Sequence, residues 1–133
     1  MDDRPRRVVI TGQGVICPLG NDVQTVWSRL LAGESGIGPI TKFDASRLQS
    51  QIAGEVRGFD AGDFMDKKAA RRMDPFAQYA VAAARLAVRD SGLEVAAEPE
   101  LIGAVVASGV GGLGTFEEQS RVLFAEGPRR LSP

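Results

Sequence analysis

Chemistry in this 133-residue chain has to come from a few local groupings. Gly109-Val110-Gly111-Gly112-Leu113-Gly114 is a literal G-x-G-x-x-G. Between a strand and a helix, such a run can cradle a pyrophosphate on backbone N–H groups. That fingerprint also requires an acidic residue about 20 positions further on, and none stands near Pro133. The weightier reading is a tight turn that lets backbone approach another surface. Lys67, Lys68, Arg71 and Arg72 form a cationic cluster. On a helix, Lys68, Arg71 and Arg72 share a face at i, i+3, i+4. This cluster suits an acidic partner or is simply a solvated helix face. Nucleic acid fits less well, because no aromatics interleave with the cations.

Cys17 follows a short β-branched run, with no cation or base near it in sequence to lower its pKa. It reads as a small, semi-buried structural residue. Asp60, Asp63 and Asp66 recur every third position without the glycine and glutamate of a calcium loop, and read as surface. There is no histidine, so the chain contains no His base, His metal ligand or Ser-His-Asp triad. A single cysteine excludes an internal disulfide and a multi-Cys zinc site. Neither a metal site nor a catalytic residue is expected.

The elements that must hold these groups follow from periodicity and caps. Val8-Val9-Ile10-Thr11 predicts a buried first strand. Asn21 is placed to cap a helix from Asp22 whose apolar face is Val23, Val26, Trp27, Leu30 and Leu31, ended by Gly33. Residues 35–50 read as loop, 51–56 as a strand and 66–73 as a short basic helix. Asp74-Pro75 opens a long helix to Ser91, closed by Gly92. Residues 101–107 are apolar on both faces, which suits a central parallel strand. Thr115 and Glu118 have capping-box spacing for a last helix, broken by Gly127-Pro128. The alternation predicts an α/β fold with a largely parallel sheet, the front of a larger domain.

The composition is that of a globular protein, with 44% hydrophobic and 25% charged residues. A net charge of −1 gives no global field for nucleic acid or an anionic membrane. The start, from Met1 to Thr11, holds only a short apolar run, and no run approaches a membrane span. Cytoplasmic residence is the expectation.

Taken together, the blocks resemble one family. Val8 to Val15, Pro18-Leu19-Gly20-Asn21, Trp27 to Ile37, Phe43-Asp44 and Ala53 to Val56 are similar to the opening of β-ketoacyl-[acyl-carrier-protein] synthases. Arg72-Met73-Asp74, Asp90-Ser91-Gly92, Gly109 to Gly114 and Gly127 to Pro133 continue the resemblance. It points to the elongating type II branch of bacterial fatty acid synthesis and spans nearly the whole chain. It implies that residues 1–133 are the incomplete N-terminal half of a thiolase-like, layered α/β fold, homodimeric when whole. It implies an acyltransferase that elongates acyl chains by decarboxylative Claisen condensation with malonyl-carrier protein, without an organic cofactor. The family's nucleophilic Cys, two His and Lys lie beyond the end of this chain, so the chain alone is expected to be inactive. Gly109 and Val110 match the acyl-pocket gate. Lys68, Arg71 and Arg72 match the carrier-protein docking patch, and Arg129 and Arg130 a second basic element near the same entrance. A non-catalytic, chain-length-factor-type accessory subunit of a polyketide pathway is the alternative.

Overall fold

The computed structural model describes residues 7–132; the two ends of the expected 1–133 domain, including the basic start Met1 to Arg6, lie outside them. Four α-helices and a two-stranded ladder follow in the order α1 (Val23–Leu31), β1 (Ile37–Pro39), β2 (Ile52–Gly54), α2 (Lys67–Ala70), α3 (Pro75–Ser91) and α4 (Leu113–Glu126), with 3₁₀ turns at Ala61–Asp63, Pro99–Leu101 and Pro128–Arg130.

α1 starts one residue later than Asn21 would place it. Asp22 is the cap, its carboxylate accepting from Thr25 N at 2.8 Å. Asn21 instead donates from Nδ2 to Arg57 O at 3.0 Å, tying the helix start to the segment after β2. The helix ends as Gly33 foretells. Gly33 has φ +70°, its N–H reaches Leu30 O, and Glu34 N reaches Arg29 O. This is the paired bonding that a left-handed glycine makes possible. Gly92 closes α3 at φ +64° with a single bond from its N–H to Arg89 O at 3.3 Å, while Leu93 N reaches Ser91 Oγ at 3.1 Å.

β1 and β2 are antiparallel, with Gly38 opposite Ala53 and Ile40 N extending the ladder to Gln51 O at 2.9 Å. β2 lies within the expected strand, whereas β1 falls inside the segment read as loop. Glycine and proline in Ile37-Gly38-Pro39 conceal a strand from a propensity reading. An edge position with a single partner tolerates both.

The largely parallel sheet is not present among the described residues. Neither 8–11 nor 101–107 forms a strand. Leu101 and Ile102 close a 3₁₀ turn through their N–H groups, and 8–11 and 103–107 join no ladder, with Val8 92% and Val105 98% exposed. A strand is defined by the ladder it joins, and no partner reaches either segment. The apolar stripe of α1 is likewise open, with Trp27 60% exposed. The chain presents 11265 Å² of accessible surface, where a compact chain of this size presents about 6,700 Å².

Packing is closest along α3. Ala82 is fully buried. Gly12 and Gly14 cross the helix so tightly that a Cβ on either would overlap the backbone at Ala83 or Ala87. Asp90 fixes that crossing by accepting from Gln13 N at 2.9 Å. The small residues of α3 permit this close approach of residues 12–14. Nearby, Phe59 meets Tyr79 edge-on at 4.9 Å and stacks on Phe64 at 5.7 Å.

Candidate functional site

The cationic cluster is built on a turn more than on a helix. Asp66 caps α2 by accepting from Lys68 N and Ala69 N, both at 2.9 Å. The helix ends at Ala70, so Arg71 is its C-cap and Arg72 lies beyond it. The expected single helical face of Lys68, Arg71 and Arg72 is thus corrected, because α2 is too short to carry all three. What holds the arginines is Gln78 of α3. Its Nε2 donates to Ala70 O at 2.9 Å and to Met73 O at 3.0 Å. These two carbonyls flank the arginine pair, so one amide clamps both ends of the turn. No ion pair to Lys67, Lys68, Arg71 or Arg72 occurs among the described residues.

The glycine run lies beside this turn. Ser108 Oγ accepts from Gly111 N at 2.9 Å, and Gly111 sits at φ +79°. Val110 projects at the bend, 75% exposed. A Cβ on Gly112 would overlap the carboxylate of Asp74, while one on Gly109 or Gly114 would meet nothing within 4 Å. Two of the motif's glycines are thus demanded locally, one for its φ and one for close approach.

α4 begins at Leu113, two residues before the expected capping box. Thr115 does not cap it. Its hydroxyl donates to Asp74 Oδ1 at 2.6 Å, and Glu118 pairs with Arg121 at 2.9 Å instead. Asp74 is the N-cap residue of α3 but makes no side-chain cap bond there. Its carboxylate stands at the start of α4, where a negative charge is favoured by the helix dipole.

Arg71, Arg72, Met73, Asp74, Thr115, Gln119 and Ser132 line one cleft of about 570 Å³. Gln119 Oε1 accepts from Ser132 N at 2.8 Å, holding the chain end after Arg129 and Arg130 against α4. Arg130 is partly engaged, its Nε 3.6 Å from Glu126. Lys68 does not line the cleft. A larger groove of about 770 Å³, lined by Gln13, Asp22, Trp27, Leu86, Arg89 and Asp90 among others, lies away from these residues. In the sequence Asp74 and Thr115 stand out as caps, Asp74 also as part of a family block and Gly112 as one glycine of the motif, while nothing marks Gln78. Their roles depend on contacts between elements.

Cys17 is half-buried and pairs its backbone N and O with Gly20 at 2.9 and 3.0 Å. Its place is structural. Asp60 and Asp66 accept backbone N–H groups as caps. Among the described residues no helix is long and apolar enough to cross a membrane.

The arginine turn, which makes no ion pair among the described residues, and the glycine bend thus lie side by side, joined through Asp74. The family model for the N-terminal domain of β-ketoacyl synthases matches residues 5–133, and the chain belongs to that family. Among its relatives, the 3-oxoacyl-[acyl-carrier-protein] synthase 2 of Coxiella burnetii is 49% identical over 129 residues, covering 96% of this chain and 31% of the relative. The enzyme of the same name from Vibrio cholerae is 48% identical over 129 residues, with the same coverage. The chain therefore spans about a third of the length of these relatives. Two solved structures share its fold at TM-score 0.78. The ishigamide ketosynthase/chain length factor is 35% identical, covering 96% of this chain and 32% of that one. A type II polyketide-synthase ketosynthase, in complex with its acyl-carrier protein and bound to the hexaketide, is 27% identical, covering 97% and 33%.

Proposed function

We infer that this chain is the carrier-docking and acyl-gating part of a 3-oxoacyl-[acyl-carrier-protein] synthase, the enzyme that extends an acyl chain by decarboxylative condensation with malonyl-carrier protein. The observation that carries this reading is the near-half identity to enzymes of that name over 96% of the chain. Residues 1–133 are then one partial domain, in which 8–11 and 101–107 become sheet strands when the rest of the protein covers them. A cytoplasmic homodimer belongs to the same proposal.

In this reading Arg71 and Arg72, clamped by Gln78, receive an acidic carrier protein, with Arg129 and Arg130 as the second basic element and Lys68 at the margin. Val110, apolar and exposed on a bend with Gly109 beside it, contacts the alkyl chain that the carrier delivers. The chain itself brings no nucleophile or base to the condensation. The ketosynthase-and-carrier complex of like fold supports a carrier partner, since that relative is seen with its own. The chain-length-factor alternative draws on the other neighbour, at lower identity than the synthases. The residue at the nucleophile position of the whole protein separates the two, a cysteine for the synthase.

The test is carrier binding by the whole protein, comparing wild type with the Arg71→Glu, Arg72→Glu double variant across a salt series. Loss of at least tenfold in affinity at low salt, mostly through the association rate, is expected for a steering patch. Unchanged low-salt affinity would overturn the docking assignment.

A further inference from the structure

We propose that Asp74 and Thr115 are a positioning pair that mounts the Val110 bend on the same rigid unit as the docking arginines; this rests on the functional reading above. Three observations carry it. The hydroxyl–carboxylate bond is 2.6 Å long across 41 residues of sequence, the short distance of a charge-assisted bond. Gly112, two residues after Val110, abuts the same carboxylate and has no room for a Cβ. Asp74 directly follows the turn whose two carbonyls Gln78 clamps. A chain of fixed contacts therefore runs from Arg71 and Arg72, through Met73 and Asp74, to Gly112 and Thr115, and on to Val110.

Neither Asp74 nor Thr115 touches the acyl chain in this reading; each acts through the bend. The carboxylate does not cap its own helix. Its bond goes instead to α4, the helix that directly follows the bend. Docking and gating would then share one frame, so that a carrier bound at the arginines finds Val110 at a set distance. Loss of the hydroxyl frees the bend without altering the arginine turn, which Gln78 still holds. The expected signature is a change in turnover without a change in carrier affinity.

The experiment compares wild type, Thr115→Val and Thr115→Ser in the whole protein, measuring kcat and the KM for acyl-carrier protein. Valine is nearly isosteric, and a melting temperature within a few degrees of wild type establishes that the fold is kept. Thr115→Val is expected to lower kcat about tenfold, the scale at which small misplacements are felt, with KM within twofold. Thr115→Ser should restore kcat to within twofold. Wild-type behaviour in Thr115→Val, or equal losses in both variants, overturns the proposal. If the wild-type protein transfers no acyl group, the functional reading itself fails, and amide exchange decides the link. Faster exchange over Gly111–Phe116 in Thr115→Val alone sustains it, and equal exchange in all three overturns it.

Discussion

Asp74 Oδ1 accepts the hydroxyl of Thr115 at 2.6 Å, so the residue that begins α3 holds the start of α4. Each residue has the look of a local cap in the sequence, and each instead serves the other's element. The consequence is a joint between the arginine turn and the glycine bend that no single segment encodes.

The joint makes two glycines of one motif respond in opposite ways. Gly112→Ala drives a methyl into the Asp74 carboxylate and is expected to cost about 1–3 kcal/mol, the usual penalty of overpacking. Gly114→Ala lies inside α4 with open space around it, and should be neutral or stabilising by up to about 1 kcal/mol through helix propensity. Thermal melts of the two variants in this chain check the contrast, and equal shifts would refute it.

The basic residues should not contribute equally to docking. Arg71 and Arg72 line the cleft and have no ion-pair partner among the described residues, whereas Arg130 lies 3.6 Å from Glu126 and Lys68 sits outside the cleft. Single reversals to Glu at Arg71 or Arg72 are expected to weaken carrier binding several-fold more than reversal at Lys68. Glu126→Ala, which releases Arg130, should strengthen it modestly and steepen its salt dependence. Binding titrations at two ionic strengths read both effects.

Glu55 gives the ladder a pH limit. Its buried carboxylate accepts Thr41 Oγ1 at 2.6 Å, Thr41 N at 3.0 Å and Lys42 N at 3.2 Å. These bonds, the Thr41 hydroxyl foremost and its amide next, hold the carboxyl below its ordinary 4.5. A pKa lowered by folding stabilises the fold above the unfolded value, and that contribution is lost as pH falls through the folded one. Amide exchange at Thr41 and Lys42 should therefore accelerate as pH falls below the ordinary carboxyl value of 4.5, after correction for intrinsic rates. Glu55→Gln should remove this pH dependence. A flat profile in wild type would show that the clasp contributes nothing.

The two unpaired apolar segments give the fourth expectation. In the 133-residue chain alone, amides of 8–11 and 103–107 should exchange at nearly unprotected rates, because no ladder satisfies them. In the whole protein the same amides should be among the slowest, as sheet strands are. Strong protection in the isolated chain would mean that a partner strand is found within it.

The features legible along the chain are local and set by short-range physics. The ends of α1 and α3 follow from Gly33 and Gly92, whose φ of +70° and +64° glycine adopts without a Cβ penalty. The start of α3 follows from Asp74-Pro75, and the family blocks from Val8 to Pro133 foretold the relationship that the comparisons established. β1 escaped notice because its pairing with β2, not its own Ile-Gly-Pro, makes it a strand. The expected parallel strands failed for the converse reason, since apolar runs become strands only where a neighbour supplies the hydrogen bonds. Tertiary structure alone decided that Gln78 clamps the arginine turn and that Thr115 meets Asp74. Those contacts depend on how α2, α3 and α4 are set against one another, and spacing along the chain carries no record of distance across it.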